Sequence, residues 1–465
     1  MQDTKEQKLM RHTVGAGLFL AVLALWPLTP SPAMDIKYFF LAWTVAIAGL
    51  LWISYQWRHG DVHYPRAWSG RFLGLLAASL VAASLLGNHP AYSLVESSKY
   101  LTLLLLFLAA AAAFRDAEQA WRLIALIVVA VGLSSVYGLV QKMGWDPFPW
   151  ETREVEEYLT LPGTYGNPNV ASHTLILGFI LACGLVLRRR SAADYWAAVP
   201  ALLIGTHIFI SGVRSAQLAL GACGLFLLLL FLSGRLFQCT VRRTVASLLL
   251  LGLIAAAGGM GALYVSKART AAYTPMVHGQ MLRYNSFLGA SQMILDKPLQ
   301  GFGSGAYLIE NTPYWTPYEQ EYFAAEQRLN EHVHNEYLEF GVEGGVLAAL
   351  MYIGFLMSGF VASFVAALKA NTPERRILGL ATGCAFLAFL VDGLFGFNFH
   401  VPVSSALIVA IAGLQAGVFG SEAPKAIKRP PRGRFLLAAI PVGLLSLGLA
   451  VLYSLDFVSR NAVQI

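Results

Sequence analysis

Glu331-His-Val-His-Asn-Glu-Tyr-Leu-Glu-Phe-Gly-Val-Glu343 leads, after Gly344, into the uncharged run 345–368, Gly-Val-Leu-Ala-Ala-Leu-Met-Tyr-Ile-Gly-Phe-Leu-Met-Ser-Gly-Phe-Val-Ala-Ser-Phe-Val-Ala-Ala-Leu. About 20 apolar residues in a helix cross the hydrocarbon layer of a bilayer, and this run is long enough. Comparable runs occur at 13–29, 38–55, 72–87, 100–114, 120–140, 170–187, 194–210, 215–233, 244–266, 377–395, 403–419 and 435–456. With 57% hydrophobic and only 13% charged residues, the chain falls outside the balance of a soluble domain of this length. Unpaired sheet edges are excluded from hydrocarbon, so the expected fold is all-α: one polytopic membrane helical bundle over 1–465 with about 12 to 13 transmembrane helices.

The basic residues give an orientation. With the N-terminus in the cytoplasm and the spans alternating, the inward segments hold 22 of the 33 Lys and Arg but only 8 of the 26 Asp and Glu. That is the positive-inside pattern. The formal net charge of +7 therefore reads as topology, with no reason to invoke nucleic acid. Residues 420–434, basic and containing Pro, read as a cytoplasmic linker that can touch anionic membrane lipids. The first apolar run lacks a small-residue cleavage site after Trp26 and is expected to stay as a signal anchor. Cys183, Cys223, Cys239 and Cys384 show no metal-ligand spacing and none falls in an outward loop, which argues against structural disulfides and thiolate metal sites.

Two outward segments are long, 141–169 and 267–344, and they carry the unusual residues. No internal repeat is evident, and the ionisable groups gather at the outward rim. This favours an enzyme at the membrane surface over a carrier with charges along a central path. Arg214 sits in a short turn pressed by apolar runs on both sides. Its planar fork of donors suits phosphate or carboxylate oxygens, and the alternative is an arginine that snorkels at a helix end. Arg283 lies in a stretch, 280–295, that reads as a surface-lying amphipathic helix, where a solvated polar face is the competing reading. Arg269 reads as an interface anchor.

His334 can accept a proton near neutral pH, and Glu331, Glu336 or Glu339 could orient its second nitrogen, with no choice possible from spacing. If 333–343 is helical, His334 and Leu338 share a face while His332 and His334 point apart, so His-x-His is a poor helical metal pair. The competing reading is a rim histidine satisfied by a backbone carbonyl. Asn169 reads as the N-cap of the helix near 170, in a segment that either starts the helix or offers its free amides to an anionic or sugar substrate. The loop Pro298-Leu-Gln-Gly-Phe-Gly303 lacks the Gly-Lys-Ser/Thr ending of a nucleotide phosphate loop. Asp392 is a candidate partner for a rim cation.

Taken in order, Gly163-x-x-Gly-Asn-Pro-Asn169, Ser211-x-x-Arg-Ser215, Arg283, Pro298-x-x-Gly-x-Gly303, and His334-Asn-x-x-Leu338 followed by Glu343-x-Gly345 resemble the bacterial O-antigen ligase and polymerase superfamily. The resemblance spans most of 160–400 and rests on short motifs. It implies a membrane-embedded glycosyltransferase of the GT-C type in the bacterial inner membrane, with 267–344 as a large periplasmic loop. The implied donor is an undecaprenyl-diphosphate-linked glycan and the implied acceptor, for a ligase, is lipid A-core. Polymerases and protein O-oligosaccharyltransferases share the donor. Transfer would be inverting and free of metal or other cofactor. Arg214 and Arg283 correspond to the arginines expected to grip the donor diphosphate, and His334 to the histidine expected to activate or orient the acceptor hydroxyl. Asn169, Asn335, Glu336, Glu339 and Asp392 are possible supporting residues. A reading of another class is a lipid-linked glycan transporter, which would not need His334.

Overall fold

The computed structural model describes residues 4–26, 29, 31–59, 67–146, 148, 161–188, 192–232, 275–326, 330–420 and 432–462. The expected span at 244–266, Arg269, Cys239, and most of the linker at 420–434 lie outside them, as do parts of both long outward segments. The helices are α1 Lys5–Leu23, α2 Asp35–His59, α3 Trp68–Leu86, α4 Pro90–Ala113, α5 Ala117–Lys142, α6 Pro168–Arg188, α7 Ala198–Ser211, α8 Arg214–Leu232 and α9 Pro275–Asp296, then α10 Tyr307–Glu310, α11 Pro317–Glu326, α12 Glu336–Lys369, α13 Pro373–Asp392, α14 Pro402–Phe419 and α15 Arg432–Ala462. No strand occurs among the described residues, and the chain is an all-α polytopic membrane protein.

Among the described residues nine helices are long and apolar enough to cross a membrane: α2 to α6, α8, α12, α14 and α15. The remaining expected spans fall on α1, α7 and α13. The apolar helix at α7 is short, Tyr195–Ser211. Charges at its ends, Glu374, Arg375, Arg376 and Asp392, shorten the apolar part of α13. By contrast α4 begins at Pro90, ten residues before the apolar run, because Glu96 and Lys99 lie one turn apart on it and form an ion pair. Neutralising each other, they let the helix extend through a stretch whose charges made it look like a loop.

At the centre stands α14, almost all of whose side chains are buried. Small residues bring it against α4: a Cβ on Gly413 would lie 2.5 Å from the Phe107 carbonyl oxygen, and one on Gly417 only 2.1 Å from that of Phe114. Where lipid tails are as apolar as the helices, close packing and interhelical hydrogen bonds do the work of association. Gln415 on α14 accordingly donates to the Gly359 carbonyl at 2.9 Å and to Ser363 Oγ at 3.0 Å, both on α12.

The two ends of the bundle differ. At one, Arg58 pairs with Glu6 at 2.9 Å, and Arg188 bridges Glu118 at 2.5 Å and Glu374 at 3.3 Å. These residues lie in the segments assigned to the cytoplasm by charge. At the other end α6, α8 and α12 begin and α7 and α13 finish around one cavity.

The stretch from α9 to the start of α12 has a core of its own, with Ala290, Met293, Phe302, Ala306, Tyr307, Val333 and Val342 buried together. Its glycine loop is a structural plug. Helix α12 is broken at Gly344 and Gly345, where Gly345 has φ +71°. The break frees backbone groups that the loop satisfies: Phe302 N donates to the Val342 carbonyl at 2.9 Å, Gly303 N to that of Glu343 at 2.8 Å, and Val346 N to that of Pro298 at 2.8 Å. Gly301, at φ +67°, would put a Cβ 2.4 Å from the Glu343 carbonyl oxygen, so glycine is required at that position.

Candidate active site

The turn between α7 and α8 is as tight as its sequence implied. Gly212 ends α7 at φ +68°, and Arg214 opens α8 with its side chain half-buried. Arg283 projects from the middle of α9, also half-buried. Burial, and then the charge on Arg214, push the Arg283 guanidinium below its ordinary value. Two cations that sense each other in a partly enclosed space favour an anion between them.

His334 reaches the same place by an unusual backbone. Val333 is buried in the small outward core, Asn335 caps α12, and His334 between them takes φ +59°, a left-handed conformation uncommon for a residue with a Cβ. The helix starts only at Glu336, so His334 is not on it, and the expected shared face with Leu338 does not form. The Asn335 side chain accepts from Tyr337 N and Leu338 N, both at 3.1 Å, and donates to the Leu394 carbonyl at 3.2 Å; its role is to fix the helix start and hold it to the segment after α13.

These three residues line one cavity of about 300 Å³ together with Pro168, Asn169, His173, Gln280, Gly396 and Phe397. Asn169 is present, but the helix-capping position belongs to Asn167, whose Oδ1 accepts from Asn169 N at 2.8 Å. Pro168 takes the first helical position, which moves the start of α6 two residues ahead of the expected one. His334 sets its edge against the Phe397 ring at 5.4 Å between centroids. Burial lowers the His334 pKa first and the Arg283 charge second, to about 3, so the imidazole stands neutral with a lone pair available.

None of the three carboxylates expected near His334 hydrogen-bonds to it among the described residues. Glu331 is exposed. Glu339 instead takes His332 Nδ1 at 2.5 Å and Val333 N at 3.2 Å. Glu336 takes His400 Nδ1 at 2.7 Å, while His400 Nε2 lies 3.0 Å from Tyr100 Oη and 3.3 Å from Glu343 Oε2. Burial works against a charged His400, but Glu336, Glu339 and Glu343 outweigh it and raise the imidazole pKa well above its ordinary value. Ligand atoms of Glu339, Glu343 and His400 lie within 4.8 Å of one another, a spacing that a cation could also use. The group is an ion-pair cluster that locks the start of α12 to the 393–401 segment.

The ion-pair partner of Asp392 among the described residues is a histidine and not an arginine. Asp392 Oδ2 lies 2.5 Å from Nδ1 of His173, a residue in an apolar run that sequence reasoning passed over. The available signal was a histidine inside a membrane helix, where polar groups are costly and tend to mark sites.

Residues 199–353 match the Wzy_C family model, O-antigen ligase. No curated protein matches the chain. The Wzy_C match covers about a third of the chain and supports a place in the O-antigen ligase and polymerase superfamily, consistent with a multi-pass membrane protein. It includes Arg214, Arg283 and His334, and it excludes Asn169, His173 and Gly396, which line the same cavity, and Asp392, which bonds to His173 from behind.

Proposed function

We propose that this protein is an O-antigen ligase of the inner membrane, moving a glycan from undecaprenyl diphosphate to lipid A-core at the periplasmic face with inversion at the anomeric carbon. The observation that carries the reading is the convergence of two arginines and a neutral histidine on one cavity at the end of the bundle opposite the basic ion pairs. Arg214 and Arg283 receive the diphosphate, whose negative charge grows as the glycosyl bond breaks. Preoriented guanidinium donors stabilise that charge without the reorganisation water requires. His334 meets the acceptor hydroxyl and orients it toward the anomeric carbon.

A lipid diphosphate is a good leaving group, so the chemistry asks for no acid, and two arginines supply the countercharge that soluble phosphate enzymes draw from a divalent ion. Asn335, Glu336 and Glu339 support the site indirectly, by holding the start of α12 and the segments around His334 in place.

The test is a purified reaction in the presence of a metal chelator, with lipid-diphosphate-linked glycan offered lipid A-core, a second lipid-linked glycan, or protein. A ligase extends lipid A-core. Extension of the lipid-linked glycan would make the protein a polymerase, and modification of protein an oligosaccharyltransferase. Absence of transfer to all three, with glycan-lipid carried across a sealed vesicle, would make it a transporter.

A further inference from the structure

His173 and Asp392 form a buried dyad that opens on the cavity. His173, on α6, is 2% exposed, and Asp392, at the end of α13, is 1% exposed. Besides His173 Nδ1 at 2.5 Å, Asp392 Oδ2 faces Asn398 Nδ2 at 3.2 Å. Asn398 is itself fixed, accepting from Tyr352 Oη at 3.1 Å and donating to the Phe389 carbonyl at 2.9 Å. A carboxylate oxygen that takes an amide donor acts as an acceptor, so the shared hydrogen belongs on His173 Nδ1 and the lone pair on Nε2.

That Nε2 is buried and has no hydrogen-bond partner among the described residues. Buried imidazole nitrogens are almost always satisfied, so an orphan on the wall of a cavity points to a ligand. The surroundings hold the ring there. A Cβ on Gly396 would lie 2.4 Å from His173 Cε1, and Phe397 meets the ring edge-on at 5.8 Å between centroids. His334 lies against the same Phe397, but with no carboxylate bonded to it among the described residues. One histidine thus has an oriented carboxylate behind it and the other does not.

We propose that His173, held by Asp392, is the proton acceptor of the transfer reaction. The inference rests on reading the cavity as the glycosyl-transfer site. The acceptor oxygen forms its bond to the anomeric carbon while the bond from that carbon to the diphosphate oxygen breaks. The bonding pair leaves with the diphosphate, facing Arg214 and Arg283, and the hydroxyl proton passes to His173 Nε2. Asp392 is a positioning residue that fixes the tautomer and stabilises the imidazolium as it forms. His334 then orients the hydroxyl and stays neutral throughout.

The experiment compares wild type, His173→Asn and Asp392→Asn in the purified reaction, measuring kcat and KM for both substrates and, separately, binding of the lipid-diphosphate donor. Asn at 173 can still donate to Asp392 but presents nothing at the Nε2 position. Its kcat should fall by about 10²- to 10⁴-fold, the range of general base catalysis, with donor binding and both KM values within about twofold of wild type. Asp392→Asn, nearly isosteric, should lose kcat in the same pattern and carries the test if His173→Asn fails to accumulate. A kcat at the wild-type level in either variant would overturn the proposal, and so would a loss confined to KM or donor binding. Failure of wild type to transfer glycan from a lipid diphosphate would instead defeat the reading of the site itself.

Discussion

Arg283 and His334 face one cavity, and the guanidinium charge adds to burial in pressing the imidazole down to about 3. A depressed histidine is neutral above its pKa and gains a proton only as pH falls through that value, far below the ordinary range near 6.5. Titration of His334 therefore does not shape activity near neutrality. Wild type and His334→Gln should give kcat profiles of the same shape between about pH 5 and 8, whatever their absolute rates. An acid limb near 6.5 in wild type that disappears in His334→Gln would show that the imidazole titrates normally.

Arg214 and Arg283 should respond to a change of shape at constant charge. Lysine offers a point ammonium in place of a planar fork, so Arg214→Lys and Arg283→Lys should each lower kcat/KM by about 10²- to 10³-fold, the scale of one lost transition-state donor. Steady-state kinetics on detergent-purified variants decides this. Wild-type kinetics in both would remove the diphosphate clamp.

The loop at 298–305 predicts a change in stability, because Gly301 faces backbone. Gly301→Ala puts a Cβ against the Glu343 carbonyl at a positive φ, which should cost roughly 1–3 kcal/mol and lower the Tm of the detergent-solubilised protein. An unchanged Tm would mean that the loop is not locked into the break in α12.

Orientation follows from the charge asymmetry of the two ends. In a cysteine-free background, a cysteine replacing the exposed Gln320 on α11 should react with a membrane-impermeant reagent in cells whose outer membrane is permeabilised. One replacing the exposed Asn371, between α12 and α13, should stay protected. The reverse pattern would put the cavity in the cytoplasm.

What could be read from the sequence divides along physical lines. The helices were legible because membrane spans must satisfy their backbone internally and so carry long apolar runs. Where charges cancel in pairs, as at Glu96 and Lys99 in α4, composition misjudged the boundary. Arg214, Arg283 and His334 stood out as polar groups against apolar surroundings, in an order that resembles a known superfamily. The carboxylates near His334 in sequence proved to serve other histidines, since a left-handed residue at 334 turns its side chain away from the helix that carries Glu336 and Glu339. His173 and Asp392 are separated by most of the chain, and only tertiary packing brings them together.

Whether donor and acceptor meet between the arginine pair and the histidines of one cavity is decided by His334→Ala. Donor binding and glycan transfer should be measured on the same purified protein. The variant should accumulate normally and bind the lipid-diphosphate donor as wild type does, while transfer to lipid A-core falls by at least about 10²-fold. Transfer at the wild-type rate would contradict the account, leaving His334 a structural residue at the rim of a site that works without it.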